Sequence, residues 1–140
     1  MAFTGNYPCN SFKSGLIAGG FNFATGTPDV YKLALYTNEA SLDETTTSYT
    51  TSGEVVAAGY TAGGIVLTST VVAASNSSFV TFANVTFSAS ITARGALIYK
   101  VGGTNPAVCV LDFGMDKSSA NTFTITFPPA TPTEAIIRIL

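Results

Sequence analysis

The chain has 140 residues, a formal net charge of −2, 46% hydrophobic and only 10% charged residues, and neither histidine nor tryptophan. That length suits one domain, able to bury about two-thirds of the surface its unfolded chain exposes. Six Lys and Arg residues standing singly offer no basic patch for nucleic acid, and the absence of histidine removes Ser–His and Cys–His nucleophile pairs.

Met1 to Pro8 is uncharged and carries Phe3 and Tyr7. It suits an arm that adds a strand to a neighbouring subunit or lies on it, with a locally packed terminus as the competing expectation. The opening shows neither a basic region nor an apolar signal core, so the chain is expected on the cytosolic side. From Cys9 to Gly20 a short helix is predicted, capped by Asn10 or Ser11, with Phe12, Leu16 and Ile17 on one face. Gly15 weakens it by about 1 kcal/mol relative to alanine, so packing must hold it. Gly19-Gly20 ends it.

ATGTPD, residues 24–29, is turn chemistry, and Val30 to Tyr36 reads as a strand with Tyr31, Leu33 and Leu35 on one face. Thr37 to Gly53 is a long polar loop holding the adjacent acids Asp43 and Glu44. It lacks the alternating acids, Gly and Glu of a calcium loop and reads as solvated. Glu54 to Ala58 is expected as a short edge strand. Gly59 to Gly64 is a glycine-rich turn without the spacing or the Gly-Lys-Ser/Thr ending of a phosphate loop.

Ile65 to Val72 alternates as a strand, and Ser78 to Phe87 does so with a break in register near Ala83-Asn84 that marks a bulge or turn. The central feature is a hairpin. Gly95–Val101 and Ala107–Phe113 are apolar at almost every position, which implies burial on both faces, and Gly102-Gly103 permits the reversal while Pro106 opens the second strand. Arg94 and Asp112 lie at matching ends of the pair. Gly114 to Ala120 reads as a polar loop, Asn121 to Phe127 as a strand with Phe123, Ile125 and Phe127 on one face, and Ala135 to Leu140 as a last strand.

Seven to eight strands plus one N-terminal helix predict an all-β fold, an antiparallel β-sandwich in a single domain spanning residues 1–140. A carboxylate pair for glycoside hydrolysis could come from Asp43, Glu44, Asp112 and Asp116, but the missing tryptophan argues against a sugar cleft. Cys9 and Cys109 are too few for a structural zinc set. Cys109 on its apolar strand reads as a small buried side chain, and a Cys9–Cys109 disulfide, which the expected reducing compartment disfavours, is the alternative. No catalytic residue, cofactor or metal is assigned. No apolar run reaches the roughly 18 residues of a membrane span. A surface this poor in charge must rely on Ser, Thr and Asn or be covered by other chains, so an assembly subunit is expected.

At GYTAGG (Gly59 to Gly64), ITARGALIYK (Ile91 to Lys100), AVCVLDFG (Ala107 to Gly114), the terminal AIIRI and the opening MAFTGNY, the sequence resembles a family of small virion structural proteins of tailed bacteriophages. The resemblance implies a non-enzymatic particle component made in the host cytoplasm. The favoured post is a capsid cement or decoration protein on the capsid exterior, with the major capsid protein and further copies of itself as partners. The alternatives are a tail or fibre component touching the host surface and, more remotely, an envelope-polymer hydrolase. Phe3, Tyr7 and Tyr60 are the candidate contact residues, with intrachain packing as the competing reading for each.

Overall fold

Strand-forming residues that are apolar on both sides need cover on both faces. In the central hairpin the consecutive residues Leu97-Ile98 and Val108–Val110 obtain it, being buried, while Val101 is exposed and Leu111 and Phe113 are half-buried. A computed structural model describes residues 3–24, 26, 29–129, 131 and 133–139. The turn expected at residues 24–29 falls partly outside them. The described strands are β1 (Tyr7–Pro8), β2 (Tyr31–Tyr36), β3 (Ile65–Leu67), β4 (Ser69–Ala73), β5 (Ser78–Phe82), β6 (Val85–Phe87), β7 (Thr92–Lys100), β8 (Ala107–Ser118), β9 (Phe123–Ile125) and β10 (Ile137–Ile139), with one helix, α1 (Asn10–Ile17). The chain is all-β and antiparallel with a single N-terminal helix, as expected.

The largest sheet runs β1-β8-β7-β2-β3, beside a three-stranded sheet β10-β5-β4 and a two-stranded sheet β6-β9. Two runs of sequence serve two sheets each. Ile65–Ala73 leaves β2 and joins β5 at Thr68, while 78–87 leaves β4 and joins β9 across Ala83-Asn84, the break anticipated from the lost alternation. The Ala83 N–H donates to the Thr68 carbonyl at 3.0 Å and holds the two crossings together.

Aromatic rings join the layers. Phe23 stacks on Tyr31 of β2 at 4.3 Å and meets Phe82 of β5 edge-on at 6.2 Å; Tyr60 lies 5.5 Å from Phe87 of β6, and Phe113 of β8 lies 6.2 Å from Phe123 of β9. Offset and edge-on ring pairs of this kind each add about 0.5–1.5 kcal/mol beyond the area they bury. β2 is buried on both faces, since Ala34 and Tyr36 are as enclosed as Leu33 and Leu35.

Four expectations change. The polar segment after Phe113 is not a loop: β8 continues to Ser118, because Ser118 and Lys117 pair with Thr92 and Ala93 of β7. Glu54–Ala58 forms no strand, only an isolated bridge between Glu54 and Tyr36. Helix α1 takes Cys9 as its N-cap without a side-chain bond, and only Phe12 of its expected face is buried; Ile17 is 89% exposed. The Thr37–Gly53 loop is not wholly solvated, since Ala40 and Leu42 are buried and Ser48 bridges to Pro106.

Gly15 now has a packing reason. A Cβ there would sit 2.7 Å from the Phe21 ring, which itself lies 4.9 Å from the Phe12 ring. The weak helix keeps its glycine so that this aromatic lid can close on it.

Candidate interaction surface

The three residues expected to touch partners all make contacts inside the chain. Phe3 is 4% exposed, packed on Gly95 and beneath the Arg94 guanidinium, whose carbon lies 5.9 Å from the ring centre. Arg94 in turn pairs with Asp112, and both side chains are mostly buried, not exposed as an isolated surface pair would be. Tyr7 belongs to β1, opposite Val110, and its half-buried ring carries a hydroxyl within 3.0 Å of Thr4 Oγ1. The described part of the expected arm is therefore folded back onto β8, where Asn6 Oδ1 also accepts the Asp112 N–H.

Tyr60 belongs to the most densely hydrogen-bonded polar cluster among the described residues. Its hydroxyl donates to Glu54 Oε2 at 2.6 Å and accepts the Leu35 N–H at 2.9 Å. Glu54 is 7% exposed and also receives the Gly63 N–H at 2.8 Å and the Tyr49 hydroxyl at 2.6 Å. Tyr49 stacks on Tyr99, whose hydroxyl donates to the Gly63 carbonyl, and Tyr36 donates to the Thr50 carbonyl.

This cluster solves a problem of strand pairing. β3 ends opposite Leu33, so β2 would carry unpaired backbone groups beyond it; the Val55 N–H, the Tyr60 hydroxyl and the Gly53 carbonyl take those places. Burial and the nearby carboxylate push the Tyr36, Tyr60 and Tyr49 hydroxyls up, so they stay protonated donors at neutral pH. A carboxylate so enclosed and so fully bonded is a structural anchor. The short edge strand expected over Glu54 to Ala58 gave this acid no such part, although an acid immediately before Val55-Val56 was the available signal.

Three of the four candidate hydrolytic carboxylates are engaged separately, while Glu44, half-buried, contributes its backbone carbonyl to the Asn10 N–H. Asp112 takes Arg94, Asp116 accepts the Asn38 amide, and Asp43 caps Thr45 through both its N–H and its hydroxyl, bonds that hold the Asp43 carboxyl below its ordinary range. Among the described residues no three acidic or sulfur side chains gather where a metal could sit. Cys9 and Cys109 are both free and buried, and burial pushes the Cys9 thiol up to about 11.

One surface hollow, of about 370 Å³, is lined by Lys117, Ser119, Thr122 and Thr124 beside Phe113 and Phe123, and another is largely apolar. A cleft of about 240 Å³ opens between the end of α1 and the sheet β10-β5-β4, lined by Leu16, Phe21, Val71, Phe79, Ile137 and Ile139 among others. Ile139 on its wall is 61% exposed, and Ile17, next to Leu16, is 89% exposed. Along the cross-strand row Ile137–Val80–Val71, Ile137 and Val80 are buried while Val71, at its end, is 46% exposed. No helix among the described residues is long and apolar enough to cross a membrane. Comparison of the chain with known protein families, with curated proteins and with solved structures returns no match.

Proposed function

We propose that this protein is a virion structural protein of a tailed bacteriophage, serving as a cement or decoration protein that binds the outside of the major capsid lattice. The observation that carries the reading is the open apolar cleft walled by Leu16, Val71 and Ile139 on a chain with only 10% charged residues. Exposed aliphatic groups beside a preformed groove favour association, because covering them removes apolar surface from water at about 25 cal/mol per Å². The sequence resemblance to small phage virion proteins supplies the particle, and the rigid two-sided core supplies a body that does not deform when it docks.

In this reading a side chain or loop of the capsid subunit enters the cleft, and many weak copies of the contact add up around the shell. The arm has a smaller part than the sequence suggested, since Phe3 and β1 are spent on the protein's own sheet.

The test is co-sedimentation of the protein with empty heads of the phage that encodes it, using the wild type, Val71→Asp and Ile139→Asp, both on the cleft wall and partly exposed. Wild-type protein should saturate the heads, and each aspartate should weaken binding at least tenfold while leaving the thermal transition in place. No binding by the wild type, or equal binding by all three, overturns the proposal. Retention on host envelopes instead of heads would support the tail or fibre reading.

A further inference from the structure

The sheet edges of this protein are not equally protected. An edge strand presents unpaired N–H and C=O groups to any extended chain, and folded proteins usually blunt such edges with charge, proline, distortion or shortness. β1 contains Pro8, which has no N–H, and β10 carries Arg138. The outer edge of β8 beyond Val110 holds Asp112, Asp116 and Lys117 and is distorted at Gly114, where φ is +84°. β9 has three residues and leads toward Pro128 and Pro129.

β4 has none of these devices. Ser69–Ala73, sequence STVVA, pairs with β5 on one side and with no other strand among the described residues. Thr70 and Ala73 are exposed, and Val71 is 46% exposed.

Its free backbone groups can be assigned. Residues in an antiparallel pair alternate between exchanging and not exchanging hydrogen bonds. The Ala74 N–H donates to the Ser77 carbonyl and the Ala83 N–H to the Thr68 carbonyl, so Thr70 and Val72 turn their N–H and C=O groups toward β5. Those of Val71 and Ala73 point the other way, off the edge of the sheet. Toward Ser69 the edge is partly closed, because its hydroxyl donates to the Phe23 carbonyl and the residue is 7% exposed.

We propose that β4 is a self-association edge, on which a second copy of this chain pairs antiparallel about a two-fold axis at Val72. Val71 of one copy then faces Ala73 of the other, and the two three-stranded sheets become continuous. A second copy is the occupant that the residues favour. The two-fold axis sets β-branched Val72 against its own equivalent and opposes no like charges, whereas the same operation on β10 or β8 would set Arg138, Asp116 or Lys117 close to its own copy. The inference does not rest on capsid binding, and either can fail without the other.

The experiment is sedimentation velocity on the full chain over a range of concentrations, with Val71→Pro and Val72→Cys. Proline at 71 deletes an outward N–H while leaving the ladder to β5 intact, so the dimer should weaken at least tenfold. At Val72 the pair across the axis is of the non-hydrogen-bonded type, with Cα atoms about 4.5 Å apart, within disulfide reach. Mild oxidation of Val72→Cys should therefore yield a covalent dimer that the wild type, whose thiols are buried, does not form. Should Val71→Pro unfold the protein, Ala73→Lys at an exposed position gives the same reading. A wild type that stays monomeric, a dimer untouched by the edge variants, or no covalent dimer from oxidised Val72→Cys overturns the proposal.

Discussion

Replacing Glu54 by alanine tests whether the buried carboxylate anchors the segment that closes β2. Three donors lose their acceptor: the Tyr60 hydroxyl, the Gly63 N–H and the Tyr49 hydroxyl. Tyr49 is only half-buried and can turn to water. The other two bonds are buried, and a stranded buried donor costs about 1–3 kcal/mol. Removing the ion relieves part of its own desolvation, yet taking away one partner of a buried charged network typically costs about 3–5 kcal/mol in sum. We expect Glu54→Ala to lower the unfolding free energy by about 3 kcal/mol in urea denaturation. Glu54→Gln keeps an oxygen for Tyr60 and Gly63 and presents its amide to Tyr49, whose hydroxyl can accept, so the loss should be about 1 kcal/mol. Tyr60→Phe combined with Glu54→Ala should be less than additive, because both remove the same bond. If alanine costs under about 0.5 kcal/mol, on the order of an ordinary surface change, or if glutamine is as harmful as alanine, the anchoring argument is wrong.

Three further outcomes follow from the packing. Gly64 has φ +85°, and a Cβ there would stand 1.9 Å from the Leu33 carbonyl oxygen, so Gly64→Ala should cost on the order of 4 kcal/mol or abolish folding; a soluble variant with an unchanged Tm would contradict this. Phe3→Ala empties a buried position against Gly95 and should cost about 3 kcal/mol in the same urea assay, whereas a loss near zero would mean that the ring lies elsewhere in solution. Raising the pH should destabilise the fold. The Cys9 thiol is raised from 9.0 to about 11, and the Tyr31, Tyr36 and Tyr60 hydroxyls are raised by burial. The folded state thus binds these protons more tightly than the unfolded chain, and its advantage, complete below their ordinary pKa values, is lost as the pH climbs through the folded ones. Tm should hold steady near neutrality and fall above about pH 9, with tyrosinate absorbance rising together with unfolding. Tyrosinate from more than one of the six tyrosines on an intact fold, beyond what half-buried Tyr7 supplies, would refute the burial argument.

Much of the sheet was legible because strand residues show their faces in sequence. The period-two pattern located β2, β5, β6, β7 and β9, and its interruption at Ala83-Asn84 located the crossing between sheets. Glycines and Pro106 placed the hairpin turn. What alternation cannot carry is which partner a strand meets and where that partner ends. Glu54 is buried only because β3 stops opposite Leu33 and leaves β2 backbone groups to be satisfied by Tyr60 and its neighbours. Phe3 is core only because Gly95, far away in sequence, leaves room for its ring, and β8 runs on to Ser118 only because Thr92 and Ala93 lie alongside. Ile17 stands exposed because it lies about 100° round the helix from Leu16, which packs on the core, and no other element among the described residues covers that side. Local pattern set which segments are extended, through the geometry of alternating side chains. Burial, edges and clefts were decided by contacts between residues distant in the chain, because solvent access belongs to the assembled layers and not to any one of them.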